Sequence, residues 1–228
     1  QWQTGDSAEA MRTYRMLTIP RAAPPNPIHA WNDDPQFVSL FRSIATHTIV
    51  DHVRCFMLAQ FCRQVNTLAG DVAEVGVYRG GTAKLLATLR TPGKDLHLFD
   101  TFAGMPTCDP ARDKHSLGDF ADTSETAVRD FLGDAADVHM HKGVFPATGA
   151  AVTTRRFSLV HVDCDIYQSV LDCCRFFHPR MVQGGVLVFD DYGFVSCPGA
   201  KNAVDEYFAT QLETPIYLPT GQAFVVKL

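Results

Sequence analysis

From about residue 70 onward, short apolar runs alternate with stretches in which apolar residues return every three or four positions. DVAEVGV, LHLFD, DVHMHKG, FSLVHVD and GGVLVFDD have the length and composition of buried strands. Between them, TAKLLATLR, AVRDFLGDA, IYQSVLDCCRFFHPRM and AKNAVDEYFAT carry helical spacing. Strands that alternate with helices predict crossover units, and right-handed crossovers place helices on both faces of a doubly wound sheet. The terminal TPIYLPTGQAFVVKL predicts a hairpin turning near Gly221. The predicted class is therefore α/β, with a doubly wound, seven-stranded, mostly parallel sheet whose last strand is antiparallel.

Ahead of the sheet, apolar residues recur at helical spacing from about Pro35 to Val65, with a break near Thr46–Thr48. Before that, Pro20, Pro24, Pro25 and Pro27 resist helix and sheet. The expected organisation is an irregular arm over 1–35, serving as tail, lid or dimer arm, and a single domain with an N-terminal helical cap over 36–228. Residues 101–126 read as a long polar loop broken by glycine and proline. Such a length inside a compact domain marks a functional or mobile segment.

Composition narrows the classes. The 228 residues are 46% hydrophobic and 20% charged, with a formal net charge of −5. An acidic chain suits nucleic acid poorly, because phosphates call for clustered Lys and Arg. No apolar run approaches the roughly 18 residues of a membrane span, and QWQTGDSAEA has no signal-peptide core. The seven cysteines are odd in number and contain no CxxC pair, which argues against a disulfide framework and a cysteine-based zinc site. The expectation is a cytoplasmic enzyme with a small-molecule substrate and no nucleic-acid or membrane partner.

The first strand runs into E-V-G-V-Y-R-G-G-T. Ligands of open parallel sheets sit at the carboxyl ends of the strands, where glycine lets the backbone approach closely. The spacing is not the GxGxxG of a dinucleotide site, so it suits a cofactor without a pyrophosphate. Asp100 ends the second strand, where a carboxylate can hold ribose hydroxyls. S-adenosylmethionine, with a ribose and an amino acid moiety, fits best.

Strand four ends H-V-D-C-D and strand five V-F-D-D-Y. Parallel strands bring Asp163, Asp165, Asp190 and Asp191 toward one pocket, where their mutual repulsion calls for a counter-charge. Carboxylate oxygens are the ligands Mg²⁺ prefers. In an extended strand Asp163 and Asp165 share a face; a turn just after Asp163 would split them into a ligand and a base. His139, His141 and His161 could supply a second base or a metal ligand, but their alternation within strands favours hydrogen-bonded structural histidines, while His115 lies in the long loop and could reach substrate.

The segments EVGVYRGGT, LFDTFAGMP, GDFADTS, HKGVFPAT, HVDCDIYQS, GGVLVFDDYG and GAKNAVDEYF, in this order over roughly 46–228, resemble the macrocin O-methyltransferase family. These are metal-dependent class I S-adenosylmethionine methyltransferases with a Rossmann-like fold, which methylate sugar hydroxyls in antibiotic biosynthesis. The resemblance implies that Glu74, Gly76, Tyr78, Gly80, Gly81 and Thr82 contact the methionine part of the cofactor. Asp100 would hold the ribose, flanked by Thr101 and Phe102, and Asp122, Gly143 and Val144 would lie near the adenine. Asp163, Asp190 and Asp191 would bind Mg²⁺. Catechol-type relatives use a lysine three residues after the first metal-binding aspartate. That position here is Ile166, so the base role falls to Asp165.

The implied function is Mg²⁺-dependent O-methylation of a sugar on a glycosylated natural product, by a homo-oligomer. The competing readings are methylation of a phenolic or catechol hydroxyl, a non-catalytic cofactor-binding subunit, and a metal-dependent hydrolase. Tyr78, Val144 and Ile166 stand where family members often carry tryptophan, and Gln168 where an acid is common, which points to an unusual acceptor.

Overall fold

The protein is described here by a computed structural model that covers residues 29–133, 135 and 137–228. The arm expected over 1–35 lies largely outside these residues; of it, Ala30–Asp33 form a 3-10 turn. Pro35–Leu228 form one compact unit.

That unit opens with helices α1 (Pro35–Ile44) and α2 (His52–Gln64), separated where the sequence predicts a break. Asp51 starts α2 by accepting hydrogen bonds from the backbone N–H groups of Val53 and Arg54. Strands and helices then alternate: β1 (Asp71–Val75), α3 (Gly81–Leu89), β2 (Leu96–Asp100), α4 (Glu125–Leu132), β3 (Val138–Lys142), β4 (Phe157–Val162), α5 (Tyr167–Phe177), β5 (Met181–Phe189) and α6 (Pro198–Phe208). The hairpin β6 (Ile216–Tyr217) and β7 (Ala223–Val226) closes the chain.

The strand order is β3-β2-β1-β4-β5-β7-β6. The first five strands are parallel, and β7 pairs antiparallel with both β5 and β6. The predicted doubly wound sheet is thus present. Strand β4 is buried along its whole length. The core between sheet and helices α5 and α6 centres on Phe99, Phe157, Phe177 and Phe189, large rings whose burial supplies much of the hydrophobic driving force.

Three local features differ from the sequence reading. Helix α4 begins two residues earlier than AVRDFLGDA, because Ser124 Oγ caps the N–H of Ala127. It also ends earlier, at Leu132, where Gly133 turns to φ +79°. Strand β5 starts at Met181 rather than Gly184. A 3-10 segment, Ala147–Val152, fills the link between β3 and β4; it lacks the apolar periodicity that would announce it. Among the described residues, no helix is long and apolar enough to cross a membrane.

Candidate active site

The strand register builds the site. Val75 pairs with Phe99 on one side and with Val162 on the other, and Val162 pairs with Phe189. The residues that follow, Gly76, Asp100, Asp163 and Asp190, therefore leave the sheet side by side at its carboxyl edge. A cavity of about 260 Å³ opens above this edge, bounded by residues 47–50, by parts of the long loop and by Phe194, Ser196 and Cys197.

At one end the chain turns from β1 into α3. Asp100 organises that turn. Its Oδ2 accepts from the N–H groups of Val77 (2.7 Å) and Tyr78 (2.9 Å), and its Oδ1 accepts from Phe102 N–H (2.6 Å). Gly80 takes a left-handed conformation (φ +85°) at the start of α3. The adjacent Gly81 donates its N–H to the His47 carbonyl at 3.0 Å, an approach so close that a Cβ would lie 2.7 Å from that oxygen.

At the other end, oxygens of Asp163, Asp190 and Asp191 lie within 4.8 Å of one another. Their surroundings differ. Asp190 is fully buried and well partnered: Arg54 Nη1 pairs with its Oδ2, while Gln222 Nε2 (2.8 Å) donates to Oδ1 and His161 Nε2 lies 3.4 Å from it. Burial would push this carboxyl upward, but His161, Arg54 and Gln222 hold it below the usual range. Burial and the neighbouring carboxylates raise Asp163 and Asp191 well above theirs. Asp191 Oδ2 is buried without a hydrogen-bond partner. An orphaned carboxylate oxygen beside two more carboxylates is a donor set that fits a hard divalent cation.

His161 links the two ends beneath the cavity. Wholly buried, it sits between Glu74 Oε1, 2.8 Å from Nδ1, and Asp190. Burial alone would lower its pKa, but the two carboxylates raise it well above the ordinary value.

Asp165 stands at the edge of this group, beside Asp191, and turns toward a different set of partners. The chain turns at Cys164, whose carbonyl accepts the N–H of Ile166 at 2.6 Å, and Asp165 adopts φ +57°. Of the two arrangements open to HVDCD, the structure has the split one. Asp165 Oδ1 lies 3.3 Å from Cys197 Sγ and 3.8 Å from His115 Nε2, and burial raises its pKa. The other ring nitrogen of His115 lies 3.3 Å from Asp119.

The long loop is pinned rather than free. Asp113 Oδ1 caps α5 by accepting Tyr167 N–H at 2.8 Å, and its Oδ2 accepts Asp109 N–H at 2.9 Å. Lys114 Nζ donates to the Val195 carbonyl at 2.5 Å. At the loop's far end Asp122 pairs with Arg79 and accepts from Tyr78 Oη at 3.1 Å.

Of the residues expected at the site, Gly76, Tyr78, Asp100, Thr101, Gly143, Val144, Asp163, Asp165 and Asp191 line the cavity. Asp190 lies directly behind, in the carboxylate group. Glu74 does not reach the cavity wall, because its register opposite His161 turns it into the sheet interior. Thr82 and Phe102 are buried, and Asp122 lines a separate, shallower depression with Arg79 and Ser124. Sequence reasoning missed Arg54, Gln222, His47 and Cys197. Arg54 follows a helix cap with no local sign of its role; only the fold carries it across 136 positions to Asp190.

Comparison with known proteins gives a consistent result. The sequence profile of the macrocin-O-methyltransferase (TylF) family matches residues 31–218. The chain is 29% identical over 196 residues to the 8-demethyl-8-(2,3-dimethoxy-alpha-L-rhamnosyl)-tetracenomycin-C 4'-O-methyltransferase of Streptomyces olivaceus, covering 76% of this chain and 72% of that one. It is 29% identical over 182 residues to demethyldecarbamoylnovobiocin O-methyltransferase of Streptomyces niveus, covering 72% and 68%. Among solved structures it superposes on the O-methyltransferase NovP with a TM-score of 0.67 at 26% identity, over 79% of this chain and 82% of that one.

Proposed function

The chain belongs to the macrocin-O-methyltransferase family, an S-adenosylmethionine-dependent class, and from that premise we propose that it methylates a sugar hydroxyl of a glycosylated natural product with the help of Mg²⁺. One observation carries the metal part of this reading: the three carboxylates of Asp163, Asp190 and Asp191 converge beside the glycine turn, with the Asp191 Oδ2 orphaned. The acceptor class rests on the relatives, two of which are named for rhamnosyl-tetracenomycin and novobiocin precursors.

When bound, S-adenosylmethionine supplies the methyl group and a divalent cation polarises the acceptor hydroxyl. The chain's own residues do the rest. Asp100 holds the N–H groups of Val77, Tyr78 and Phe102 in a fixed turn, so the cofactor pocket is organised before anything enters. Gly76, Tyr78, Thr101, Gly143 and Val144 face the cofactor, and Asp163, Asp190 and Asp191 hold the cation. Asp165 accepts the proton from the acceptor oxygen. Its buried position raises its affinity for that proton above that of an exposed carboxylate. Asp119 fixes one nitrogen of His115 and leaves the other facing Asp165. Phe120 and Phe194 wall the cavity against water.

In this reading residues 36–228 form the catalytic domain. The arm at 1–35 serves acceptor selection or assembly of a homo-oligomer. The test combines calorimetry with an acceptor screen. S-adenosylmethionine should bind wild type and Asp191→Asn alike, Mg²⁺ should bind wild type but not Asp191→Asn, and Asp165→Asn should keep both ligands yet lose turnover. Equal Mg²⁺ affinity in wild type and Asp191→Asn would remove the metal from the mechanism. Methylation of a catechol but no glycoside, assayed side by side, would replace the sugar with a phenolic acceptor.

A further inference from the structure

We propose that Cys197, braced by His115, is a positioning residue that holds the Asp165 carboxylate in place for proton transfer. This role rests on Asp165 being the base, and it gives the long loop and the Phe194–Cys197 segment a shared task.

Three stretches far apart in sequence meet at one oxygen. Asp165 Oδ1 accepts from the Cys197 thiol at 3.3 Å, and His115 Nε2 lies 3.8 Å from the same oxygen. Cys197 Sγ and His115 Nε2 are 3.6 Å apart. The three atoms form a closed triangle, and all three residues line the cavity. Asp165 needs this support. It holds φ +57°, a region that residues other than glycine visit rarely. Its carboxylate also stands beside Asp191, and like charges turn away from each other when nothing holds them. Fixing Oδ1 from two sides sets the plane of the carboxylate, and with it the aim of Oδ2. Such alignment is what a proton transfer requires.

Both supports are themselves fixed. Cys197 is 3% exposed and directly precedes α6, and its N–H donates to the Phe194 carbonyl at 3.0 Å. Burial and the carboxylates of Asp191 and Asp165 push its thiol pKa up, so the thiol keeps its proton and donates. His115 Nδ1 lies 3.3 Å from Asp119 Oδ2, an oxygen that also accepts the Ser116 N–H at 2.9 Å. The His115 ring packs against Phe120, with centroids 5.4 Å apart. Next to both residues, the hydrogen bond from Lys114 to the Val195 carbonyl ties the long loop to the Phe194–Cys197 segment.

Infrared spectroscopy of the whole chain reads the contact without any acceptor, because the S–H stretch falls in a clear window and drops in frequency when the thiol donates. The band lost in Cys197→Ala should move to higher frequency in Asp165→Ala. Turnover of whichever acceptor is methylated, glycoside or catechol, reads the consequence. Cys197→Ala should lower kcat by about two- to tenfold, the worth of one hydrogen bond, with KM and S-adenosylmethionine affinity unchanged. Cys197→Ser keeps a donor and should recover most of that loss. His115→Ala should also lower kcat and not KM. A Cys197 band indifferent to Asp165→Ala, wild-type kcat in Cys197→Ala, or equal losses in Cys197→Ala and Cys197→Ser would overturn the proposal. Full turnover by Asp165→Asn would remove the base assignment, and the positioning role with it, even where the band shifts as expected; the two failures are thereby told apart.

Discussion

Gly76 and Asp163 cross so closely at the carboxyl edge of the sheet that a Cβ on Gly76 would lie 2.6 Å from the Asp163 carbonyl carbon and overlap its oxygen. Gly76 also holds φ +90°. The close crossing lets β1 end beside the carboxylate group without a side chain between them. Gly76→Ala should therefore cost roughly 3 kcal/mol or more through backbone clash and strain. It should also displace Asp163. Urea denaturation measures the first effect and cofactor calorimetry the second; a variant as stable and as tight-binding as wild type would contradict the close approach.

Asp100 accepts three backbone N–H groups before any cofactor arrives. Asp100→Asn offers only one acceptor oxygen and places an amide NH₂ against backbone donors. The expected outcome is a loss of ~1–3 kcal/mol of stability in the cofactor-free protein, from unsatisfied donors, together with weaker cofactor binding. A role confined to the ribose would weaken binding and leave cofactor-free stability unchanged. Thermal unfolding without cofactor separates the two.

Arg54 supplies the built-in counter-charge for Asp190, and its guanidinium lies 4.7 Å from the centroid of the Phe194 ring. Removing one partner of a buried ion pair leaves an uncompensated charge. Arg54→Ala should destabilise by ~3–5 kcal/mol. Adding Asp190→Asn should recover part of that loss, because a neutral amide no longer needs the guanidinium. A double-mutant cycle with additive effects would show that the two side chains do not interact.

Glu213 predicts the acid limb of stability. Burial would raise its pKa, but Lys227, the Leu228 N–H and His178 bring it down to about 2, from 4.5. A carboxyl whose folded pKa is depressed stabilises the protein above its unfolded pKa and loses that contribution as the pH falls toward the folded value. Glu213→Gln should thus be less stable than wild type at pH 7 by at most ~3 kcal/mol. The gap should narrow between pH 4.5 and pH 2. Denaturation at pH 7 and pH 3 checks it; a gap that does not change with pH would assign Glu213 no electrostatic role.

Much of this was legible in the chain itself. The alternation of apolar runs and helical periods determined the five parallel strands and their helices, because buried strands tolerate little else. The acids ending HVDCD and VFDD, and the glycines of EVGVYRGG, stand at strand ends by position alone, so their convergence at one edge follows from a parallel sheet. Tertiary structure decided the rest. Whether Asp163 and Asp165 face together depended on the backbone turn at Cys164. Glu74 was drawn inward by its register opposite His161. Arg54 reached Asp190, and Cys197 and His115 met Asp165, through contacts between segments far apart in sequence. Local spacing carries no record of such pairings, because they are set by how strands align and helices pack, not by neighbours along the chain.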